Sequence, residues 1–322
     1  MQQETRQVPN PLNNPIYLTK MTKSTKKPLF LKAIILGMIF FLPTASPATD
    51  YSPITLLQFL ETEHTPRFSL LPNAFTLADN FKPTTTSSYA GSVVQVQGTA
   101  YVYHQGETTV YKLKRNLPVF TGDTLVTDKE SSLSLQMIDE STLLLAAQTK
   151  LTINKTLAGV KVRNTVLQFF FGRIRALVKK LSGDYTIRTP NVFVGVRGTD
   201  FAMAVAPAPL NQLHTRKKHT QAGLLTAVLT GGKQSTVELV STFTSAPPIQ
   251  VKPFSVAGVR TGGPREEAVY VGPAAVSLLQ KIAPFPEALP DIPKKYAPPV
   301  GPCWPFPVKP KGIRLKFFRV CE

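Results

Sequence analysis

The sequence predicts a mainly β fold: a solenoid-like or roll-like β domain of short strands, with a proline-rich extended C-terminal tail. Three observations carry this. From Tyr89 onward short apolar runs alternate with polar residues. Turn signals separate these runs roughly every eight to twelve residues, at Gly122-Asp123, Asp139-Glu140-Ser141 and Ala158-Gly159. Prolines outnumber glycines, 29 to 19 in 322 residues, which disfavours a mostly helical chain.

Residues 49–88 hold two apolar pieces, Ile54 to Leu60 and Phe68 to Leu77, and end in a Pro/Thr/Ser run, a lead-in followed by a linker. Val94, Val96, Ala100 and Val102 read as strand, Val110 to Leu113 as another, and Leu133, Leu135 and Met137 as a third. Thr142 to Leu145 and Leu151 to Ile153 follow. Val166 to Val178 reads as strand, turn, strand, because Gly172 interrupts a β-branched and aromatic run. Phe201, Met203 and Val205 alternate again. Leu224 to Leu229 and Thr236 to Val240 flank Gly231-Gly232, which suits a two-residue hairpin turn, so β-structure is expected to about residue 260. Ala274 to Ile282 is a candidate short helix. Ten prolines between Pro284 and Pro310 favour extended chain, and Ile313 to Val320 is a candidate final strand.

The N-terminus carries the grammar of an export signal. Lys23, Lys26 and Lys27 precede an apolar stretch from Leu29 to Leu42, and Thr44-Ala45-Ser46-Pro47-Ala48 supplies small residues before a cut. Cleavage after Ala48 is expected, because it places Ser46 and Ala48 where a signal peptidase needs small side chains. An uncleaved anchor is the alternative, although the clean run Ala33 to Leu42 is half the ~20 residues a spanning helix needs. The expected organisation is a dispensable extension 1–20, a signal peptide 21–48, a lead-in and linker 49–88 and a β domain 89–206. A β-rich extension with a short helix, 207–283, and a proline-rich basic tail, 284–322, complete it. Export would make Cys303 and Cys321 candidates for one disulfide, worth ~3 kcal/mol on a chain-entropy account; two free thiols are the alternative.

The formal charge is +18, and losing residues 1–48 removes six basic and one acidic residue, leaving 31 against 18, or +13. Besides the tail, the excess concentrates at Arg173, Arg175, Lys179 and Lys180 and at Arg216, Lys217 and Lys218. For an exported chain these point to an anionic envelope polymer, lipopolysaccharide or glycan, or to a protein partner, and not to nucleic acid. A solvated charged face is the plainer reading.

Several pieces occur together in one order. Gly91 and Gly98 bracket a strand, then come Gly122-Asp123-Thr-Leu, Asp139-Glu-Ser-Thr-Leu and Thr149-Lys-Leu-Thr-Ile. Gly172-Arg-Ile-Arg-Ala and Tyr185-Thr-Ile-Arg-Thr-Pro-Asn-Val lead to Gly195-Val-Arg197-Gly198-Thr199-Asp200-Phe201. Over about residues 91–206 this resembles the FecR domain family, which implies an extracytoplasmic all-β module. Glu140 stands where the family usually has Gly in an Asp-Gly-Ser turn. Regulators of that family also carry a cytoplasmic sigma-factor-binding segment, and only about 28 residues precede the apolar run here. The resemblance therefore implies a binding or sensing module first, and a membrane-anchored regulator second.

Catalytic patterns are weak. His214 and His219 flank Arg216 to Lys218, a setting that repels metal cations. Gly231-Gly232-Lys233 lacks the earlier Gly and the following Ser or Thr of a phosphate loop, and no Gly-x-Ser-x-Gly occurs. Asp123 and Asp139 read as turn residues and Asp200 as a partner for Arg197. No cofactor, metal or catalytic residue is assigned, and an envelope hydrolase remains a remote third reading.

Overall fold

The computed structural model describes residues 52–84, 87–158, 162–208, 223–233, 235–261 and 267–284, all within the unit Pro47–Glu322. Their strands form two sheets. Sheet A contains, in spatial order, β1 (Thr76–Ala78), β4 (Thr109–Lys112), β3 (Ala100–Tyr103), β6 (Thr124–Thr127) and β9 (Lys150–Ala158). It continues through the first part of β10 (Val162–Leu177), then β11 (Ser182–Arg188), β12 (Val192–Val196), β15 (Val237–Ser241) and β16 (Ile249–Val251). Sheet B contains β5 (Pro118–Phe120), β2 (Tyr89–Gln97), β7 (Ser132–Met137) and β8 (Thr142–Leu145), then the second part of β10. It ends with β13 (Asp200–Pro207), β14 (Leu224–Gly231), β17 (Ser255–Arg260) and β18 (Val269–Tyr270). From β7 onward the chain winds between the sheets two strands at a time, except that the second part of β10 visits sheet B alone, which makes the fold a roll. Pairing is antiparallel except for β1–β4 and β10–β11.

Strand β10 belongs to both sheets. The expected turn at Gly172 is instead a bend inside one continuous strand, with φ +103°. A side chain there would lie 2.6 Å from Thr149 Cα and 2.8 Å from the Gln148 carbonyl oxygen, so the bend needs glycine on both steric and conformational grounds. Before it, Phe169 pairs with Leu151 in sheet A; after it, Ile174 pairs with Leu145 and Met203 in sheet B.

Alternation places one residue set between the sheets. Val102, Leu125, Leu151, Ile153, Phe169 and Val194 from sheet A meet Leu133, Leu135, Leu145, Ile174, Phe201 and Met203 from sheet B in one core. Strands from 207–283 feed the same core through Val228, Leu239, Val251 and Val259.

The outer face of sheet B is covered over β10, β13, β14 and β17. Ala202, Ala204, Ala206 and Ala227 line it with small side chains, and α1 (Pro53–Glu61) and α2 (Ala274–Ile282) lie on them through Leu56, Phe59, Leu60, Leu279 and Ile282. Gly258 permits the close approach, since a Cβ there would sit 2.7 Å from Leu56 Cδ2. Helix α1 forms where only an apolar lead-in was read: Ser52 Oγ accepts from Thr55 N at 3.3 Å and Pro53 starts the first turn. Helix α2 spans the expected residues.

The hairpin expected at Gly231-Gly232 is not one. Strand β14 pairs with β13 and β17 while β15 pairs with β12 and β16, so the two glycines mark a corner between sheets. Ala48, Arg216, Lys217, Lys218, Cys303 and Cys321, with the signal peptide and the candidate strand 313–320, lie outside the described residues.

Candidate functional site

The two arginines of Gly172-Arg-Ile-Arg-Ala point to the helix side of sheet B, because Ile174 between them takes the core. Arg173 Nη1 donates to Glu61 O at 2.7 Å, at the C-terminus of α1. Arg175 Nη1 donates to Ala283 O at 2.9 Å and Gln280 Oε1 at 3.1 Å, at the C-terminus of α2. Its Nε and Nη2 meet Asp200 Oδ1 and Oδ2 at 3.0 and 2.8 Å. A cation at each helix C-terminus is favoured by the unpaired carbonyls and the helix dipole. Arg173 is half-buried and its pKa is lowered by that burial, while Arg175 is buried.

This corrects two expectations. Arg175 is spent on the scaffold and takes no place in a basic patch, and Asp200 serves Arg175, with Arg197 exposed on the other side of its turn. Of the first basic cluster, Lys179 donates to Glu140 Oε2 at 2.5 Å in an exposed pair, and Lys180 is exposed beside Gly198. The four cations therefore do not form one patch.

The remaining motif residues are likewise internal. Asp139 is buried and accepts from Ser141 N at 3.0 Å, Ser141 Oγ at 2.5 Å and Thr165 Oγ1 at 2.6 Å, fastening the β7–β8 turn to β10. Glu140 follows it at φ +62°, left-handed despite its Cβ. Thr199 Oγ1 donates to Thr236 O at 3.2 Å and accepts from Thr236 N at 3.2 Å, Gly198 sits at φ +59°, and Phe201 is buried. Asn191 in the β11–β12 turn donates to Val259 O at 2.9 Å and accepts from Thr226 Oγ1 at 2.6 Å, tying sheet A to sheet B.

Sequence reading gave His104 no role. It lies buried among Phe81, Tyr111 and Phe120, with Nδ1 2.6 Å from Asp123 Oδ1 and Nε2 donating to Lys82 O at 2.8 Å. Asp123 Oδ2 accepts from Phe120 N at 2.8 Å, and Gly122 precedes it at φ +93°. Burial opposes charge on the imidazole, but the hydrogen bond and charge of Asp123 outweigh it and hold His104 above its usual pKa. Burial also raises the Asp123 carboxyl, against the pull of His104. The pair shares one proton and holds it tightly. Both ring nitrogens are used inside the core, so neither is placed to take a proton from an outside substrate. Residues 104 and 123, just past the end of β3 and just before β6, carry no spacing signal that pairs them.

Among the described residues no group of three or more His, Cys, Asp or Glu is placed to hold a metal. Among the described residues, the outer face of sheet A exposes polar, charged and aromatic side chains together. A groove of about 340 Å³ crosses it at Gly195, lined by Asp184, Thr186, Arg197, Glu238 and Gln250. On the same face Lys150 Nζ lies 5.8 Å from the ring centres of both Tyr103 and Phe170, and the Arg188 guanidinium lies 5.7 Å from that of Phe193. The signal for it was present as aromatic residues at outward positions, Phe170 beside Phe169 and Phe193 between two valines.

Residues 123–232 match the family model described as FecR protein, from the start of the β6 corner to the end of β14. The resemblance drawn over 91–206 is thus supported from Asp123, and the match runs on to Gly232. Two solved structures of a Parabacteroides distasonis ATCC 8503 protein, provisionally named an anti-sigma factor, are 14% identical over 45% of this chain, with TM-score 0.31. The match spans 60% of those chains' own length. No curated protein matches the chain.

Proposed function

We propose that this chain, whose residues 123–232 match the FecR protein family, is a non-enzymatic binding or sensing module that meets an envelope or protein partner outside the cytoplasm. One observation carries the reading. The groups best suited to chemistry, His104 with Asp123, Asp139, and Arg175 with Asp200, are each consumed by contacts that hold the roll together. A fold that spends its reactive side chains internally and leaves one sheet face open is organised to present a surface.

A membrane-anchored regulator of the FecR type is the second reading. It is favoured by the N-terminal helix of the described residues, α1, being clasped to the sheet by Arg173.

The mass of the mature protein, measured after fractionating the producing cells, separates the two. The module reading expects an N-terminus at Thr49 in the soluble extracytoplasmic fraction. An intact N-terminal stretch in the membrane fraction supports the regulator instead.

A further inference from the structure

We infer that the outer face of sheet A binds an acidic polysaccharide, one whose sugars carry uronic-acid carboxylates; this rests on the reading of the chain as an extracytoplasmic binding module. Strand registers align one row across seven strands: Tyr103, Thr124, Thr152, Gln168, Arg188, Phe193 and Val240. Alternation turns them outward, because Val102, Leu125, Leu151, Leu167, Ile187 and Val194 beside them fill the core. The row from Tyr103 to Phe193 crosses five strand spacings, or roughly 24 Å.

Its composition matches a hydroxyl-rich, negatively charged chain. Aromatic rings stand near both ends, Tyr103 with Phe170 and Phe193, the latter two 37% and 42% exposed. Exposed aromatic faces carry negative charge and attract the polarised C–H bonds on the flat side of a sugar ring. Lys150 and Arg188 stand against these rings, and no ion pair holds either among the described residues. Each is held in place by a ring and left free to receive a carboxylate. Between them lie the hydroxyl of Thr152, which meets that of the buried Thr124 at 2.7 Å, and the amide of Gln168. That polar span suits sugar hydroxyls. It does not suit stacked nucleobases, which need successive rings.

On the opposite sheet α1 and α2 cover β10, β13, β14 and β17. The cations expected to serve an anionic partner, Arg173 and Arg175, face those helices. The charge complementarity has moved to the other side of the roll, to residues that composition alone did not single out.

The test is calorimetric titration of the exported full-length protein with polygalacturonate oligomers, with dextran, poly-dT and phosphatidylglycerol vesicles as comparisons. Binding to polygalacturonate over dextran is expected, and Phe193→Ala and Arg188→Gln should each weaken it by about tenfold, the equivalent of ~1.4 kcal/mol. Arg188 is exposed, so Arg188→Gln is expected to leave the thermal midpoint unchanged and to separate binding from folding. The inference is overturned by no binding to polygalacturonate, by binding that neither substitution changes, or by preference for dextran, poly-dT or vesicles. None of those results alters the mature N-terminus or its fraction, so the module reading stands or falls separately.

Discussion

Arg175 reaches across the β10–β13 pair to hold both carboxylate oxygens of Asp200, at 3.0 and 2.8 Å, while its remaining nitrogen holds the last turn of α2. One side chain thus couples a sheet pairing to a helix dock. Its neighbour Arg173 holds the end of α1 through Glu61 O, so the two helices are fastened from one strand, two residues apart.

Arg175→Ala should therefore destabilise the protein by about 3 kcal/mol or more, because it strands a partly buried Asp200 and frees carbonyls at a helix end. Equilibrium denaturation measures the loss, and hydrogen exchange should show α2 opening before the sheets. A loss under about 1 kcal/mol with α2 still protected would mean that the clasp contributes only surface-level pairing.

Gly172→Ala should be among the most damaging single substitutions, costing on the order of 3 kcal/mol, since it adds strain at φ +103° to a clash with Thr149 and Gln148. Thermal denaturation of the purified variant tests it. A near-wild-type midpoint would show that β10 passes between the sheets without needing glycine.

Glu140→Gly should stabilise by up to ~1 kcal/mol. Glycine relieves the left-handed backbone at φ +62°, and the exposed ion pair with Lys179 that is lost in return is worth little. A lower denaturation midpoint in the variant would reverse the ranking of those two effects.

The buried His104–Asp123 pair gives stability a pH slope. His104 has a folded pKa above its unfolded value of 6.5, so the folded state binds more protons in that window. Its contribution is present below pH 6.5 and is lost as pH rises through the folded pKa; the raised Asp123 carboxyl has the same sign. Denaturation midpoints should fall as pH rises above 6.5, and Asp123→Asn should flatten that slope. A slope unchanged in Asp123→Asn would assign it to other groups.

Period-2 alternation made most of the strands and the core face legible in the sequence, because Phe201, Met203 and Val205 must share one side of a strand whatever they pair with. Pairing partners were not legible. Gly231-Gly232 has the composition of a hairpin, and only the register shows that its flanking strands lie in opposite sheets. Helix α1 was hidden because its apolar residues read equally well as a lead-in, and its capping by Ser52 is short-range but its clasp by Arg173 is not. The basic residues of β10 were visible as charges, yet which side of the strand they occupy depends on the bend at Gly172. The row from Tyr103 to Phe193 needs six strands in register and leaves no local trace.

The most direct measurement of the central claim, that this roll is a binding module presenting the open face of sheet A, is hydrogen exchange of the full chain with and without the producing organism's isolated envelope fraction. The account predicts slowed exchange in β9 to β12, around Thr152, Gln168, Arg188 and Phe193, with β13, β14 and the two helices unchanged. Slowing confined to α1, α2 and sheet B, or no change anywhere, would contradict it.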